Sequence, residues 1–423
     1  MSRIVLTTIG SLGDLHPMIA IGLELRDRGH EIVFATLKDY QTKIESLGFE
    51  FHSLRPDHIS PEDPEMMALM MDLQKGSERI VRDYLFANIR ETYTDLMVAA
   101  RDADFIVTVE LVYAAQLVAE QLNILWALCV LAPISFFSPY DPPLLPTLLI
   151  LAKLRGFGRG VNRGVINFAK FVTRSWSEPM HQLRQELGLA PMGNPMFEAK
   201  FSPYLNLALF SSTFASAQPD WAAKTVTTGF PFYDGKQQGA DLAPELQGFL
   251  ASGEPPLVFT LGSAAVLSPG DFYTESIQAA QQLNRRAVLL MGKNLPPAAL
   301  PAGMVALDYV PYSKVFPRAC AIVHQGGIGT TAQALQSGHP TLVVPYSHDQ
   351  PDNAARLERL GTSRTIPRKR YSATRAIKEL RELLDNPRYT AKAAAIGRVI
   401  HTEDGVRVAS DEIERQLKKA AVL

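Results

Sequence analysis

An apolar run at Ala321–His324 gives way to Gln325-Gly326-Gly327-Ile328-Gly329-Thr330-Thr331 and then to a helix-compatible stretch that stops at Gly338. Strand, glycine-rich turn and helix in that order make an anion site. The glycines let the backbone approach, and the helix start presents unpaired N–H groups and its positive dipole end. His324 and Thr330 add donors at the same place, which suits a phosphate or diphosphate. The same glycines also fit a tight turn without a ligand, and His324 also fits a hydrogen-bonded core histidine. A second polar cluster, Pro345-Tyr346-Ser347-His348-Asp349-Gln350-Pro351-Asp352-Asn353, follows the next strand, 341–344. Open α/β sheets bind ligands beyond the C-terminal ends of their strands. There a carboxylate beside an amide, Asp349 with Gln350, can accept from and donate to vicinal sugar hydroxyls. Asp352 reads as the N-cap of a helix over 353–360. Near the start, Gly10-Ser11-Leu12-Gly13-Asp14-Leu15-His16-Pro17 forms another glycine-containing turn, with Asp14 at the expected N-cap of the helix that follows.

The elements that must hold these residues alternate between strand and helix, which points to α/β architecture with parallel sheets. A strand over 3–9, a helix to about Gly29 and a strand over 31–36 begin one unit. The pattern restarts at 257–261, with Gly262-Ser263 as the turn, a helix over 271–283 and a strand over 287–291. Two such starts predict two doubly wound domains, 1–228 and 257–402. The segment 229–256 contains Gly229, Pro231, Gly235, Gly239, Pro244, Gly253, Pro255 and Pro256, and reads as the linker. A last helix, 403–423, is placed to pack back on the N-terminal domain.

A chain of 423 residues exceeds one ordinary core. Its 42 Lys and Arg against 43 Asp and Glu exclude a bulk field for nucleic acid. Only Cys129 and Cys320 occur, without metal-site spacing, so a disulfide framework is excluded and a reducing cytoplasm is expected. The apolar run at the N-terminus is too short for a signal peptide. The uncharged stretch 121–140 is interrupted by Pro133 and Pro139 and reads as a buried strand entering a Pro-rich loop, not a membrane span. No repeat of 20–50 residues is found, which excludes solenoids and propellers.

Together these motifs resemble the family 1 glycosyltransferases. His324 through Gln350 is similar to the donor-binding box of that family, with its initial His, Gly-rich turn, Gly338-His339-Pro340 and terminal Asp349-Gln350. Tyr309-Val310-Pro311 resembles the start of the box, where an aromatic residue packs on the nucleotide base. Gly10 to Pro17 resembles the Gly-Ser-x-Gly-Asp-x-x-Pro signature of bacterial antibiotic and sterol glycosyltransferases and of the rhamnosyltransferase of rhamnolipid synthesis. Similarity to the last extends to Gln218-Pro219-Asp220-Trp221, Thr228-Gly229-Phe230-Pro231 and Asp234-Gly235.

The resemblance implies a GT-B fold, two Rossmann-like domains facing across a cleft, and inverting transfer of a hexose from a UDP-glucose or dTDP-rhamnose type of donor. The nucleotide sugar is a co-substrate, and neither a metal nor a cofactor is expected. Donor contacts carry over to Gly13, Ser263, Tyr309, Val310, His324, Gly326, Gly327, Gly329, Thr330, Asp349 and Gln350. The general base falls on Asp14, expected to be ionised and weakly basic at a helix N-terminus, with His16 as the rival. Glu110, after the strand Phe105–Val109, fits either an orienting carboxylate or an ordinary surface one. Asp102-Ala103-Asp104 matches a metal-binding Asp-x-Asp, but its place between helix and strand favours solvated turn carboxylates. Tyr309 replaces the usual Trp and Tyr312 a Gln, while Ala332 replaces a Glu that holds ribose hydroxyls in plant members, which favours a deoxythymidine donor. Phe136, Phe137 and Tyr140 suggest an apolar acceptor. The Leu-rich run 144–151 with Lys153, Arg155, Arg159 and Arg163 fits peripheral membrane contact or a mobile lid. A nucleotide-sugar 2-epimerase and a non-catalytic partner protein share the fold and are the competing readings.

Overall fold

Two parallel sheets, each covered by helices on both faces, organise the chain; the computed structural model describes residues 1–57, 64–233, 235 and 242–420. The first sheet contains β1 (Arg3–Thr7), β2 (Glu31–Thr36), β3 (Glu50–Ser53), β4 (Phe105–Val109), β5 (Leu125–Val130), β6 (Leu205–Ala208) and β7 (Thr225–Thr227). Their order is β3-β2-β1-β4-β5-β6-β7. The second contains β8 (Leu257–Thr260), β9 (Ala287–Leu290), β10 (Met304–Leu307), β11 (Ala321–His324), β12 (Thr341–Val343) and β13 (Ser363–Thr365), in the order β10-β9-β8-β11-β12-β13. Residues such as Ile4, Val5 and Leu6 are fully buried because helices cover both sheet faces, so the strands read as apolar runs without alternation.

In both sheets the strand order reverses beside the first strand, between β1 and β4 and between β8 and β11. Crossovers leave in opposite directions there and open a crevice at the carboxyl ends of the strands. The residues that follow those ends are Gly10 to Asp14 and Glu110 in one domain, and Gly262-Ser263 and His324 to Thr330 in the other. The topology therefore puts the chemistry-bearing turns at two switch points.

The helix Leu12–Asp27 begins at Ser11, not Asp14 as the sequence suggested. Ser11 is the N-cap and Asp14 the third helical residue, the two forming a reciprocal capping box. Gly22 lets this helix lie against the sheet, since a Cβ there would stand 2.9 Å from Leu6. The helix Gln350–Leu360 likewise starts earlier than expected, and Asp352 is not its cap. Asp352 is fully buried one turn in and pairs with Arg356 at 2.7 Å. Within the segment read as linker, Pro244–Ala251 is helical, while Asp234 and 236–241 lie outside the described residues. The uncharged stretch 121–140 contains β5 and a short turn of helix, and no helix among the described residues is long and apolar enough to cross a membrane.

The final helix, Gly405–Ala420, packs on Leu12–Asp27, β5 and β6. Its Ala409 and Ile413 join the core of the first sheet, and Arg28 pairs with Asp411 at 2.7 Å. The outgoing and returning chains touch where they cross between domains. A Cβ on Gly405 would lie 2.6 Å from the Gly229 carbonyl oxygen, and Ser211 donates to Glu403 at 2.7 Å. A loop of the N-terminal domain also reaches the second one. The Leu144 amide donates to Asp352 at 2.8 Å, Arg359 pairs with Asp141 at 2.9 Å, and Arg356 bonds to both carboxylates. Ser77 meets His348 at 3.1 Å.

Candidate active site

On the N-terminal wall, the capping box holds the Asp14 carboxylate over Gly10. The Ser11 amide donates to its Oδ2 at 2.8 Å and the Ser11 hydroxyl at 3.2 Å. Gly10 has φ of 141° and a Cβ there would sit 2.4 Å from Asp14 Oδ2, so only glycine admits this carboxylate position. Burial pushes Asp14 up to about 6 despite the Ser11 hydrogen bonds, with the nearby Glu110 charge adding to the rise. Asp14 is thus a stronger base than its helix-start position alone implied.

His16 is drawn elsewhere. Its Nε2 lies 2.9 Å from Lys43 Nζ, and its ring packs edge-on against Tyr233 with centroids 5.0 Å apart. Burial and the Lys43 charge lower it to about 3, so the ring is neutral with one nitrogen already accepting. Glu110 is not an ordinary surface carboxylate. It faces Lys200 at 3.7 Å, and burial raises the acid and lowers the amine. Lys200 in turn lies over the rings of Phe137 and Phe201, at 5.2 and 5.4 Å. The Gly13 amide, carried over as a donor contact, is spent on the Ser11 hydroxyl at 3.1 Å. Asp104 accepts from the Arg3 amide at 2.8 Å, a structural use at the N-terminal end of β1.

On the opposite wall, His324 ends β11 and is fully buried. Its Nδ1 accepts from the Gly326 amide at 3.1 Å, and burial lowers it to about 3. The neutral ring therefore carries its proton on Nε2, a buried donor without a partner among the described residues. Gly326 has φ of 89°, and a Cβ there would meet Val343 at 2.8 Å. Gly327 is the N-cap of the helix Ile328–Ser337, whose first amides have no carbonyl one turn back. A Cβ on Gly329 would meet nothing within 4 Å, so the helix start is open on that side. Thr330 is held from behind: Gln325 reaches its hydroxyl at 3.4 Å, and Tyr312 bonds Thr260 at 2.8 Å beside it.

Asp349 is tied to Asn353, whose amide nitrogen donates to it at 2.7 Å and to the Gly326 carbonyl at 2.9 Å. Burial raises Asp349 to about 7, and the Asp14 charge across the cleft contributes. The contacts of Ser77 with His348 and of Leu144 with Asp352 hold this wall against the N-terminal domain. Gln350 spends its carbonyl oxygen on the Tyr346 and Ser347 amides, at 2.8 and 3.2 Å, which leaves its NH₂ as the group to offer. Ser263 is exposed beside Gly262, and Tyr309 is 59% exposed beyond β10. The Val310 side chain is turned into a core cluster with Val258 and Phe316, so only its backbone can serve the site.

Phe136 and Phe137 line a cavity of about 380 Å³ together with Phe197, Phe201, Ile166 and Asp220. Phe136 is clamped between Trp221, stacked at 3.8 Å, and Phe201 at 5.5 Å. Tyr140 lies outside this lining, under Arg159 at 4.9 Å, contrary to its grouping with the two phenylalanines. Lys43, Lys200, Gln325 and Asn353 were missed by the sequence reading. Only Asn353 had a local signal, four residues after Asp349 on one helix face.

Residues 277–406 match the family model of the erythromycin biosynthesis protein CIII-like C-terminal domain, and residues 4–131 that of the glycosyltransferase family 28 N-terminal domain. The chain is 30% identical to O-mycaminosyltylonolide 6-deoxyallosyltransferase of Streptomyces fradiae, over 97% of both chains. It is 26% identical to the sterol 3-beta-glucosyltransferase of Pichia angusta over its whole length, but spans only 34% of that longer protein. A solved glycosyltransferase of Streptomyces sp. SF2575, complexed with thymidine diphosphate, superposes with a TM-score of 0.68 at 19% identity, over 98% of this chain and 100% of that one. Two doubly wound domains with switch-point turns and end-to-end kinship define the class. The chain belongs to the family 1 glycosyltransferases of GT-B fold, and its activity is glycosyl transfer.

Proposed function

We propose that the protein is an inverting hexosyltransferase that moves a sugar from a nucleoside-diphosphate donor to a hydroxyl of an apolar small molecule, with Asp14 as the general base. The observation that carries this reading is a pair of switch-point groups, the buried Asp14 carboxylate held by Ser11 in one domain and the His324 Nε2–H, without a partner among the described residues, in the other. The acceptor oxygen attacks the anomeric carbon from the Asp14 side, and its proton passes to the carboxylate. The bond from that carbon to the phosphate oxygen breaks on the opposite face, and its electron pair leaves with the diphosphate. His324 Nε2–H and the first amides of the helix Ile328–Ser337 carry the developing charge, so the reaction needs no metal ion. Asp349 and the Gln350 amide hold hydroxyls of the sugar. His16 is the weaker candidate for the base because Lys43 occupies its Nε2.

Ala332, buried where a ribose-binding Glu would stand, favours a deoxythymidine donor. The thymidine diphosphate bound by the Streptomyces sp. SF2575 structure supports the same choice. The aromatic cavity lined by Phe136, Phe137 and Phe201 supports an apolar acceptor, in keeping with the sterol and the mycaminosyltylonolide in the relatives' names.

The test is incubation with dTDP-rhamnose or UDP-glucose and a panel of macrolide, sterol, phenolic and hydroxylated-lipid acceptors, in the presence of EDTA. Acceptor-dependent release of nucleoside diphosphate and a product with inverted anomeric configuration are expected. Sugar isomerisation without acceptor, or donor binding without turnover across the panel, would overturn the proposal.

A further inference from the structure

Two loops of the second domain hold a helical hairpin of the first. The helix Pro64–Met70 packs on the turn Ala265–Leu267, just beyond Ser263. Met71 at its end is buried within the core of the second sheet, and its sulfur accepts from the Ser347 hydroxyl at 3.6 Å. Asp72 then turns the chain by accepting from the amides of Gln74 and Lys75, at 3.0 and 2.7 Å. The returning arm comes so close that a Cβ on Gly76 would collide with the Met70 carbonyl. That approach sets Ser77 against the second domain, its hydroxyl 3.1 Å from His348 Nδ1. The same ring donates to the Met70 carbonyl, so one histidine ties both arms of the hairpin.

His348 stands in the left-handed region, with φ of 56°, which costs free energy for any residue with a Cβ. Its turn joins Ser347, whose amide donates to the Gln350 side chain, directly to Asp349. The bonds that hold the His348 ring in this conformation come from the other domain. We propose, on the reading of Asp349 and Gln350 as the sugar-binding pair, that Ser77 is a positioning residue for the donor: by holding the His348 ring it fixes the turn that aims both at the sugar. The sugar subsite is then complete only while the N-terminal hairpin is seated. The diphosphate cradle, built from His324, Gly326 and the helix Ile328–Ser337 within the second domain, needs no such contact.

Calorimetric titration tests it, comparing dTDP-rhamnose or UDP-glucose with the matching nucleoside diphosphate. Loss of one hydrogen bond in Ser77→Ala should weaken the nucleotide sugar about three- to tenfold and leave the nucleoside diphosphate unchanged. Ser77→Thr keeps the hydroxyl and should restore the wild-type ratio of the two affinities. His348→Asn still accepts the left-handed turn but is too short to reach Ser77, so it should lose at least as much as Ser77→Ala. Because both residues act through one contact, Ser77→Ala in the His348→Asn background should cost nothing more. A lower melting temperature with an unchanged ratio of affinities would make the contact purely structural and overturn the proposal. Additive losses in the double variant overturn it too, as does equal weakening of both ligands by Ser77→Ala. Asp349→Ala separates this from failure of the sugar-binding reading, since it should weaken the nucleotide sugar whether or not Ser77 matters. If Asp349→Ala changes nothing, the role of Asp349 is wrong and that of Ser77 falls with it. A wild type that binds neither ligand overturns both.

Discussion

Burial sets the chemistry of the three key side chains: it raises Asp14 and Asp349 and keeps His324 neutral. A base must be ionised to act, so kcat/KM should fall as pH drops below about 6, where Asp14 takes up its proton. The stability sign is opposite. A carboxylate raised from 3.8 to about 6 contributes most below its unfolded value, and that contribution is lost as pH rises through about 6. Asp14→Asn should therefore melt at or above the wild-type temperature near neutral pH while kcat drops by ~10²–10⁴-fold. A lower melting temperature with unchanged kcat would mean that Asp14 only caps its helix. His324→Ala should lose ~10²–10³-fold in kcat with acceptor KM retained, given the proposed role of its unpartnered Nε2–H at the departing diphosphate. His16→Gln should change kcat far less than Asp14→Asn, and equal losses would shift the base role to the histidine.

The elements differ in what each glycine does. Gly326→Ala forces a side chain into φ of 89° and to 2.8 Å from Val343, which should cost about 1–3 kcal/mol in urea unfolding. Gly329→Ala meets nothing within 4 Å and lies in a helix, so the fold should be unharmed or firmer. Its methyl enters the open side of the helix start, and donor KM should rise with no loss in melting temperature. A normal donor KM would place the diphosphate elsewhere. The strands, the two switch-point turns and the His324 cradle were legible in the sequence because their signals are local: apolar runs, glycines, a helix start. The shifted caps were close misses of the same kind, since Ser11 and Asp14 belong to one capping box. What was hidden depends on partners far along the chain. Lys200 meets Glu110 and Lys43 meets His16 only after folding, and no spacing announces either pair. The basicity of Asp14 was hidden for the same reason, because desolvation is a property of the assembled wall.

For the whole molecule, the loop carrying Asp141 and Leu144 is the strap between domains. Arg356 is 1% exposed and bonds to both Asp141 and Asp352, so the strap is a desolvated ionic network and not a surface pair. Burial opposes the Asp141 charge, but Arg356 and Arg359 together hold its carboxyl below the ordinary range. Its stabilising effect is thus present near neutral pH and is lost as pH falls through that lowered value. Asp141→Ala should cost about 1.5–3 kcal/mol and enlarge the radius of gyration in solution scattering as the domains part. An unchanged radius would leave closure to the crossing at Gly229 and Gly405. The proposed transfer turns on a proton moving to Asp14 as diphosphate leaves beside His324. Its most direct test is the pH dependence of acceptor-dependent diphosphate release by the wild type and Asp14→Asn, with dTDP-rhamnose or UDP-glucose and an acceptor that the panel shows to be used. An acid limb near pH 6 is expected in the wild type and should disappear, with nearly all of the activity, in the variant. Equal rates and the same limb in both proteins would contradict it.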